Sequence, residues 1–381
     1  MATPKGTGTG GPERVTGRDP VPVGGWRSSS PRASVPPMAH GVLDYGRAQE
    51  GHKARVLSAL ALLHRETPWW LQGGHRQTIL GPVLNRRRRW WGALERWRTP
   101  DDDFLRVHIS LGPAGSPLVI LLHGLEGSVR SPYIQGLAAA CAARGWSVLA
   151  AEHRSCGGEM NRARRLYHLG ETTDIDFIVR EVQRRWPGRA LGIAGFSAGA
   201  NMLAKWLGEQ GSMAPDTLRA AAVVSAPFDV ERSALRIDRM LGGLYVAHFL
   251  RTLIPKALAK ERQFPGCVEV ERVRSSRSFS AFDDCATAVI HGFRGAAEYW
   301  RSSSCAAFLP AIRRPTLLLS ARDDPFYDDD ALPTRAVLAS PWLHGVFPAV
   351  GGHVGFHLGL TRSVNLGEQY LLRFFSAYFA K

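Results

Sequence analysis

Three residues in separated parts of the chain have the types and the order that acyl transfer requires. Ser197 is the centre of Gly195-Phe196-Ser197-Ala198-Gly199, Asp324 lies in Ala321-Arg322-Asp323-Asp324-Pro325-Phe326, and His353 in Gly351-Gly352-His353-Val354-Gly355-Phe356. A serine hydroxyl is a poor nucleophile at neutral pH and needs a base within hydrogen-bond reach, itself oriented by a carboxylate. The tetrahedral intermediate also needs two backbone N–H donors for its oxyanion. Ala198, directly after the serine, is one candidate. Leu125 is the other, because His123-Gly124-Leu125 follows a buried apolar run, and a histidine-glycine loop in that position supplies such a donor. His123 itself reads as structural. Asp324 is preferred over Asp323 because it directly precedes the Pro-Phe that turns the chain away, and Asp323 stays the alternative because register in a short loop is weakly fixed.

The serine motif alone is weak, since 40 glycines in 381 residues would supply ~0.3 such matches by chance. Its setting carries the rest. Residues 191–194 are an apolar run and 200–207 a helical pattern, and a strand, sharp turn and helix expose a hydroxyl above a parallel sheet. Residues 104–111 read as an edge strand and 118–122 as a fully buried one, apolar without alternation. Residues 132–144 form a helix with proline in its first turn, 146–151 a strand, 173–186 a helix and 220–225 a strand. These repeated units predict an α/β fold, a mostly parallel sheet flanked by helices on both faces. The repetition lapses from Phe228 to about Pro310 and resumes at 316–320, so residues 229–310 are expected to form a helical cap inserted over the site. Residues 342–347 make a last strand and 362–379 a closing amphipathic helix. Asp324 and His353 then fall in loops at the carboxyl ends of strands, where open α/β sheets place their sites. Asp328, Asp329 and Asp330 read as helix-start residues.

A chain this long, 45% hydrophobic, suits one large domain with additions. Residues 1–50, rich in Gly, Pro, Ser and Arg, are expected to be a disordered extension in which Met38 offers an alternative start. Residues 51–100 are expected to pack on a domain that spans 101–381. No apolar run reaches the ~20 residues of a membrane span, and no basic-then-apolar leader opens the chain, so a cytoplasmic location is expected. The five cysteines lack C-x-x-C spacing and should be reduced and mostly buried. The net charge of +15 favours anionic surfaces, but no zinc-finger spacing or aromatic-and-glycine RNA-binding signature accompanies it, so nucleic acid is not an expected partner. Arg86 to Arg89 beside Trp90, Trp91 and Trp97 admit two readings: peripheral contact with an anionic membrane, or a solvated loop whose tryptophans pack back on the domain. His353 and His357 form H-x-x-x-H, which on a helix could bind a metal, but the surrounding glycines argue against a helix there. No cofactor or metal is called for.

Several further motifs point to one group. They are Pro68-Trp69-Trp70-Leu71 with Gly74-His75-Arg76-Gln77-Thr78; His123-Gly124-Leu125-Glu126-Gly127-Ser128; His153-Arg154-Ser155-Cys156-Gly157-Gly158-Glu159 with Asn161-Arg162; Tyr167-His168-Leu169-Gly170-Glu171-Thr172; and Ser225-Ala226-Pro227-Phe228-Asp229. With the serine, aspartate and histidine loops, they make the chain from about Thr67 onward resemble the α/β-hydrolase family of YheT-type hydrolases and their ABHD1/2/3-like relatives. Ser155, Ala198 and Ala200 stand where that family commonly has Gly, Leu and Gly. The resemblance implies Ser197, Asp324 and His353 as a catalytic triad. It also implies esterase- or lipase-like hydrolysis of short- to medium-chain acyl esters or lipids through an acyl-enzyme. Some relatives transfer the acyl group to an alcohol, so an acyltransferase using the same triad is the nearest alternative, and a catalytically silent fold that binds membranes or partners is a third.

Overall fold

Apolar runs without alternation become the doubly covered centre of a ten-stranded sheet. In the computed structural model the described residues are 38–39, 41–43, 51–63, 65–84, 89–359 and 365–380. The strands are β1 (Met38–Ala39), β2 (Val42–Leu43), β3 (Ala93–Arg98), β4 (Phe104–Ser110), β5 (Leu118–Leu122), β6 (Ser147–Glu152), β7 (Leu191–Phe196), β8 (Leu218–Val224), β9 (Thr316–Leu319) and β10 (Leu343–Val346), ordered β1-β2-β10-β9-β8-β7-β5-β6-β4-β3. The run from β10 to β6 is parallel, while β4 and β3 on one side and β2 and β1 on the other are antiparallel. The chain runs from β5 to β6 on one side and then returns to β7 on the other. That reversal leaves a crevice between the carboxyl ends of β5 and β7, the place where such sheets bind ligands.

One expectation needs correction. The strand at 104–111 is not the edge, because β3 pairs along it from Ala93 opposite Ile109 to Arg98 opposite Phe104. The charged Ala-Leu-Glu-Arg-Trp-Arg of β3 suits an edge, where polar side chains guard unpaired backbone groups. Within the stretch 1–50, β1 and β2 form a hairpin that pairs with β10, and the Phe347 N–H donates to the Gly41 carbonyl; the other residues of that stretch lie outside those described, apart from Gly41.

Helices α1 (His52–Ala61), α2 (Gly74–Leu84), α3 (Pro132–Ala142), α4 (Thr173–Arg185) and α5 (Ala198–Gln210) precede the insertion. Between β8 and β9 come α6 (Val230–Arg239), α7 (Leu244–Gln263), α8 (Val270–Ser275), α9 (Phe279–Phe282), a π-helical turn (Asp283–Thr287), α10 (Ala288–His291) and α11 (Ala296–Ser303). Then follow α12 (Thr334–Ala339) and α13 (Leu366–Phe379), the latter opened by an Asn365–Glu368 capping box. Buried residues of α1, α3 and α13 form one apolar cluster on the sheet, and those of α4, α5 and the inserted helices form another. Below the second, Arg154 is fully buried and donates to Asp103 (2.6 Å) and Asp174 (2.8 and 2.9 Å), and Asn161 also donates to Asp103 (2.6 Å). These bonds fix the 153–174 segment on which part of the site rests.

Candidate active site

Ser197 sits between β7 and α5 at φ 53° and ψ −117°, a left-handed conformation that L-residues adopt rarely. The flanking glycines make that turn possible. A Cβ on Gly195 would stand 2.4 Å from the Gly199 carbonyl oxygen, and one on Gly199 would stand 2.4 Å from that of His123. The Ser197 N–H is tied to the Val224 carbonyl of the neighbouring strand (2.8 Å). The hydroxyl is thereby lifted above the sheet.

The hydroxyl donates to His353 Nε2 at 2.8 Å, and His353 Nδ1 donates to Asp324 Oδ2 at 2.8 Å. The other Asp324 oxygen accepts the Phe326 N–H (2.9 Å), and the Phe326 ring lies 4.2 Å from the imidazole, centroid to centroid. Asp323 serves the loop instead. Its Oδ1 accepts the N–H groups of Gly351 and Gly352 (2.9 and 2.8 Å), which bends the segment that carries the histidine. Behind that segment, Thr78 Oγ1 accepts the His353 N–H (2.9 Å) and Ser225 Oγ accepts that of Val354 (3.2 Å). Residues 352–358 form a turn and irregular backbone, so His353 and His357 do not share a helix face.

Leu125 and Ala198 both line the cavity beside Ser197, and neither amide donates a hydrogen bond among the described residues. His123 lies behind them. Its Nδ1 donates to the Gly124 carbonyl (2.7 Å), its Nε2 accepts the His153 N–H (3.1 Å), and its carbonyl accepts His153 Nε2 (2.8 Å). Burial, then the neighbouring His153, pushes its pKa well below the ordinary imidazole value. His123 is therefore a neutral brace for the loop.

The cavity is open to solvent on part of its boundary and takes in about 810 Å³ of space, that open part included. Ser197, His353, Leu125 and Ala198 line it together with Phe249, Leu253, Phe279, Phe282 and Trp300 of the insertion. Asp283 is an acidic exception. Its carboxylate accepts from Thr287 Oγ1 (2.6 Å) and Trp300 Nε1 (2.7 Å), and burial pushes its pKa up to about 6 despite those bonds.

Residues 117–337 match the family model described as the alpha/beta hydrolase fold. The chain belongs to the α/β-hydrolase family. YheT of Escherichia coli (strain K12), a putative esterase by name, is 36% identical to this hydrolase over 287 residues, covering 74% of this chain and 84% of that one. Phospholipase ABHD3 of Mus musculus is 30% identical over 245 residues, covering 64% of this chain and 59% of that one. Among solved structures, the esterase Pf2001 of Pyrococcus furiosus aligns with a TM-score of 0.51 at 14% identity, covering 78% and 93% of the two chains, a likeness of fold. This α/β-hydrolase is thus similar to proteins named as an esterase and a phospholipase.

The fold of this α/β-hydrolase brings together Ser197, Asp324, His353, Leu125 and Ala198. Sequence reasoning missed the supports. Thr78 and Gln77 lie in the Gly74–Thr78 motif, which reveals no role by itself; Gln77 bonds both backbone groups of His357 (2.9 and 3.0 Å). Asp328, Asp329 and Asp330 open a short 3₁₀ helix, Asp329–Ala331, with Asp328 at its N-cap, and two of them also carry ion pairs to the insertion. Asp328 pairs with Arg232 and Arg236, and Asp330 with Arg232, which holds the insertion down on the aspartate loop. Of the interfacial tryptophans, Trp90 and Trp97 are 6% and 2% exposed and Trp91 is 80% exposed, so two of the three pack back on the domain. Arg86 to Arg88 lie outside the described residues. Among the described residues no cysteine forms a disulfide, and all five are buried. Among the described residues, no helix is long and apolar enough to cross a membrane.

Proposed function

We propose that this α/β-hydrolase is a serine carboxylic-ester hydrolase acting on short- to medium-chain acyl esters or lipids. The observation that carries the reading is the unbroken chain Asp324–His353–Ser197, with both hydrogen bonds at 2.8 Å. It ends at an apolar cavity beside two amides that donate to nothing else among the described residues. Ser197 Oγ attacks the ester carbonyl and His353 Nε2 takes its proton. Asp324 fixes the ring and stabilises the imidazolium, while the Leu125 and Ala198 N–H groups hold the oxyanion. Collapse of the intermediate expels the alcohol, which receives the proton from His353, and leaves an acyl-Ser197 ester. Water, deprotonated by the same base, then releases the acid. The acyl chain lies among the phenylalanines of the insertion. The wider cap role of residues 229–310 belongs to the same proposal.

The test is turnover of p-nitrophenyl esters of increasing chain length. Ser197→Ala should lower kcat by about 10⁴-fold or more, with activity in the wild type highest on short and medium chains. Activity retained by Ser197→Ala would end the proposal. Adding ethanol to the assay separates hydrolysis from acyl transfer: an ethyl ester product in place of the acid would move the reading to the acyltransferase.

A further inference from the structure

The oxyanion loop contains a residue that its own backbone geometry disfavours. The Gly127 N–H donates to the Gly124 carbonyl (3.0 Å), so Gly124, Leu125, Glu126 and Gly127 form a hydrogen-bonded turn. Glu126, at its third position, has φ 55°. Glycine is the usual residue at a turn position with positive φ, and a glutamate there is strained. Its side chain must contribute something that glycine could not.

That contribution is a closed set of bonds. The Glu126 N–H donates to the Tyr167 hydroxyl (2.8 Å), and the same hydroxyl donates to Glu126 Oε1 (2.8 Å). Lys256 Nζ donates to that Oε1 (2.8 Å) and to Cys156 Sγ (3.3 Å). Glu126 is 6% and Lys256 20% exposed at the side chain, so the ion pair is largely shielded from water. Tyr167 in turn stacks on His153, the ring that bonds the His123 carbonyl. The peptide that links Leu125 to Glu126 is therefore held at its far N–H and at the carboxylate, and that hold sets the direction of the adjoining Leu125 N–H.

Lys256 adds a second connection, because it belongs to α7 of the insertion. Tyr245, Phe249, Leu253, Lys256 and Lys260 follow at steps of four, four, three and four residues, one face of a helix. Along that face, Tyr245 accepts or donates a hydrogen bond with His75 (3.0 Å), Phe249 and Leu253 line the cavity, Lys256 grips Glu126, and Lys260 bonds the Asn161 and Ala163 carbonyls (2.9 and 2.8 Å). The helix that walls the acyl cavity thus also holds the oxyanion loop.

We infer that Glu126, Tyr167 and Lys256 are positioning residues that aim the Leu125 amide at the oxyanion and couple this aim to the seating of α7. The inference rests on the proposed serine mechanism. It distinguishes a positioning role from a merely stabilising one, because Glu126→Gly removes the clamp and relieves the strained φ together.

The experiment measures kcat and KM on a p-nitrophenyl ester, Ki for an alkyl trifluoromethyl ketone, and Tm, for wild type, Glu126→Gly, Lys256→Met and Lys256→Arg. The ketone adds Ser197 Oγ to its carbonyl while the serine proton passes to His353, and the resulting oxyanion occupies the place the Leu125 amide serves. Glu126→Gly and Lys256→Met should lose about tenfold or more in kcat, with Ki weakened in proportion and KM within about twofold, a part of the full loss of an oxyanion donor. The Tm of Glu126→Gly should fall less than that of Lys256→Met, because relief of the positive φ offsets part of the lost ion pair, and Lys256→Arg should recover most of the activity. Wild-type kcat and Ki in Glu126→Gly and Lys256→Met would overturn the inference, as would losses that follow Tm alone. A wild type without turnover would instead sink the ester-hydrolase reading, and the clamp with it.

Discussion

The Thr78 hydroxyl accepts the backbone N–H of His353 at 2.9 Å across 275 residues of chain. It also donates to the Gly74 carbonyl at 2.7 Å, so the first turn of α2 becomes a fixed wall for the histidine loop. A helix that precedes the repeated strand–helix units in sequence thereby sets the height of the His353 ring above Ser197.

Thr78→Val keeps the shape and removes the acceptor, leaving a half-buried N–H without its partner. Stability should fall by about 1 to 3 kcal/mol, and kcat by about tenfold through misplacement of the ring. Thr78→Ser should behave as wild type. Urea titration and steady-state kinetics check both, and a Thr78→Val enzyme with normal kcat would show that the loop holds itself.

Asp323 and Asp324 should separate cleanly. Asp324→Asn breaks the acceptor that fixes the His353 tautomer and should lower kcat by ~10⁴. Asp323→Asn keeps a carbonyl oxygen for the Gly351 and Gly352 amides and should cost about tenfold or less. The reverse ranking would assign the roles the other way round.

Asp283 makes stability depend on pH. Burial, with the nearby Asp238 charge adding to it, raises its folded pKa to about 6 from an ordinary 3.8, while the Thr287 and Trp300 bonds oppose the rise. Below pH 4 both folded and unfolded chains hold the proton. As pH rises towards 6 the unfolded chain ionises first, so the folded state loses stability across that window and remains lower above it. Asp283→Asn should therefore gain on the wild type with rising pH, by up to about 3 kcal/mol at pH 8. Denaturation at pH 4, 6 and 8 reads the difference directly, and a pH-independent difference would contradict it.

Arg154 tests the foundation under the site. Its side chain is fully buried against Asp103 and Asp174. Arg154→Met would leave buried carboxylates uncompensated and should destabilise by about 3 to 5 kcal/mol. Equilibrium unfolding measures this, and a loss below ~1 kcal/mol would mean that water reaches the carboxylates.

The serine turn, the buried strands and the loops that carry Asp324 and His353 are legible in the sequence because each is a local pattern: two glycines around a serine, an apolar run such as 118–122, a loop after a strand. The choice of Asp324 over Asp323 is less so, since both precede the same Pro-Phe and only the partner of each carboxylate separates them. The roles of Thr78, Tyr167 and Lys256 lie beyond reach because each depends on a contact between distant segments, and neither periodicity nor composition encodes which segments meet. The same reason hides β3. Its alternation is weak and charged, and it becomes a strand by pairing with β4, where Trp97 finds a buried place.

The most direct test of the central claim is covalent. Wild type, Ser197→Ala and His353→Ala are treated with an alkyl fluorophosphonate, digested and mapped by mass spectrometry. The account predicts one phosphonylated peptide in the wild type, modified at Ser197 with loss of fluoride, together with no adduct in Ser197→Ala and labelling slowed by orders of magnitude in His353→Ala. An adduct on another residue, or equal labelling of Ser197→Ala, would contradict it.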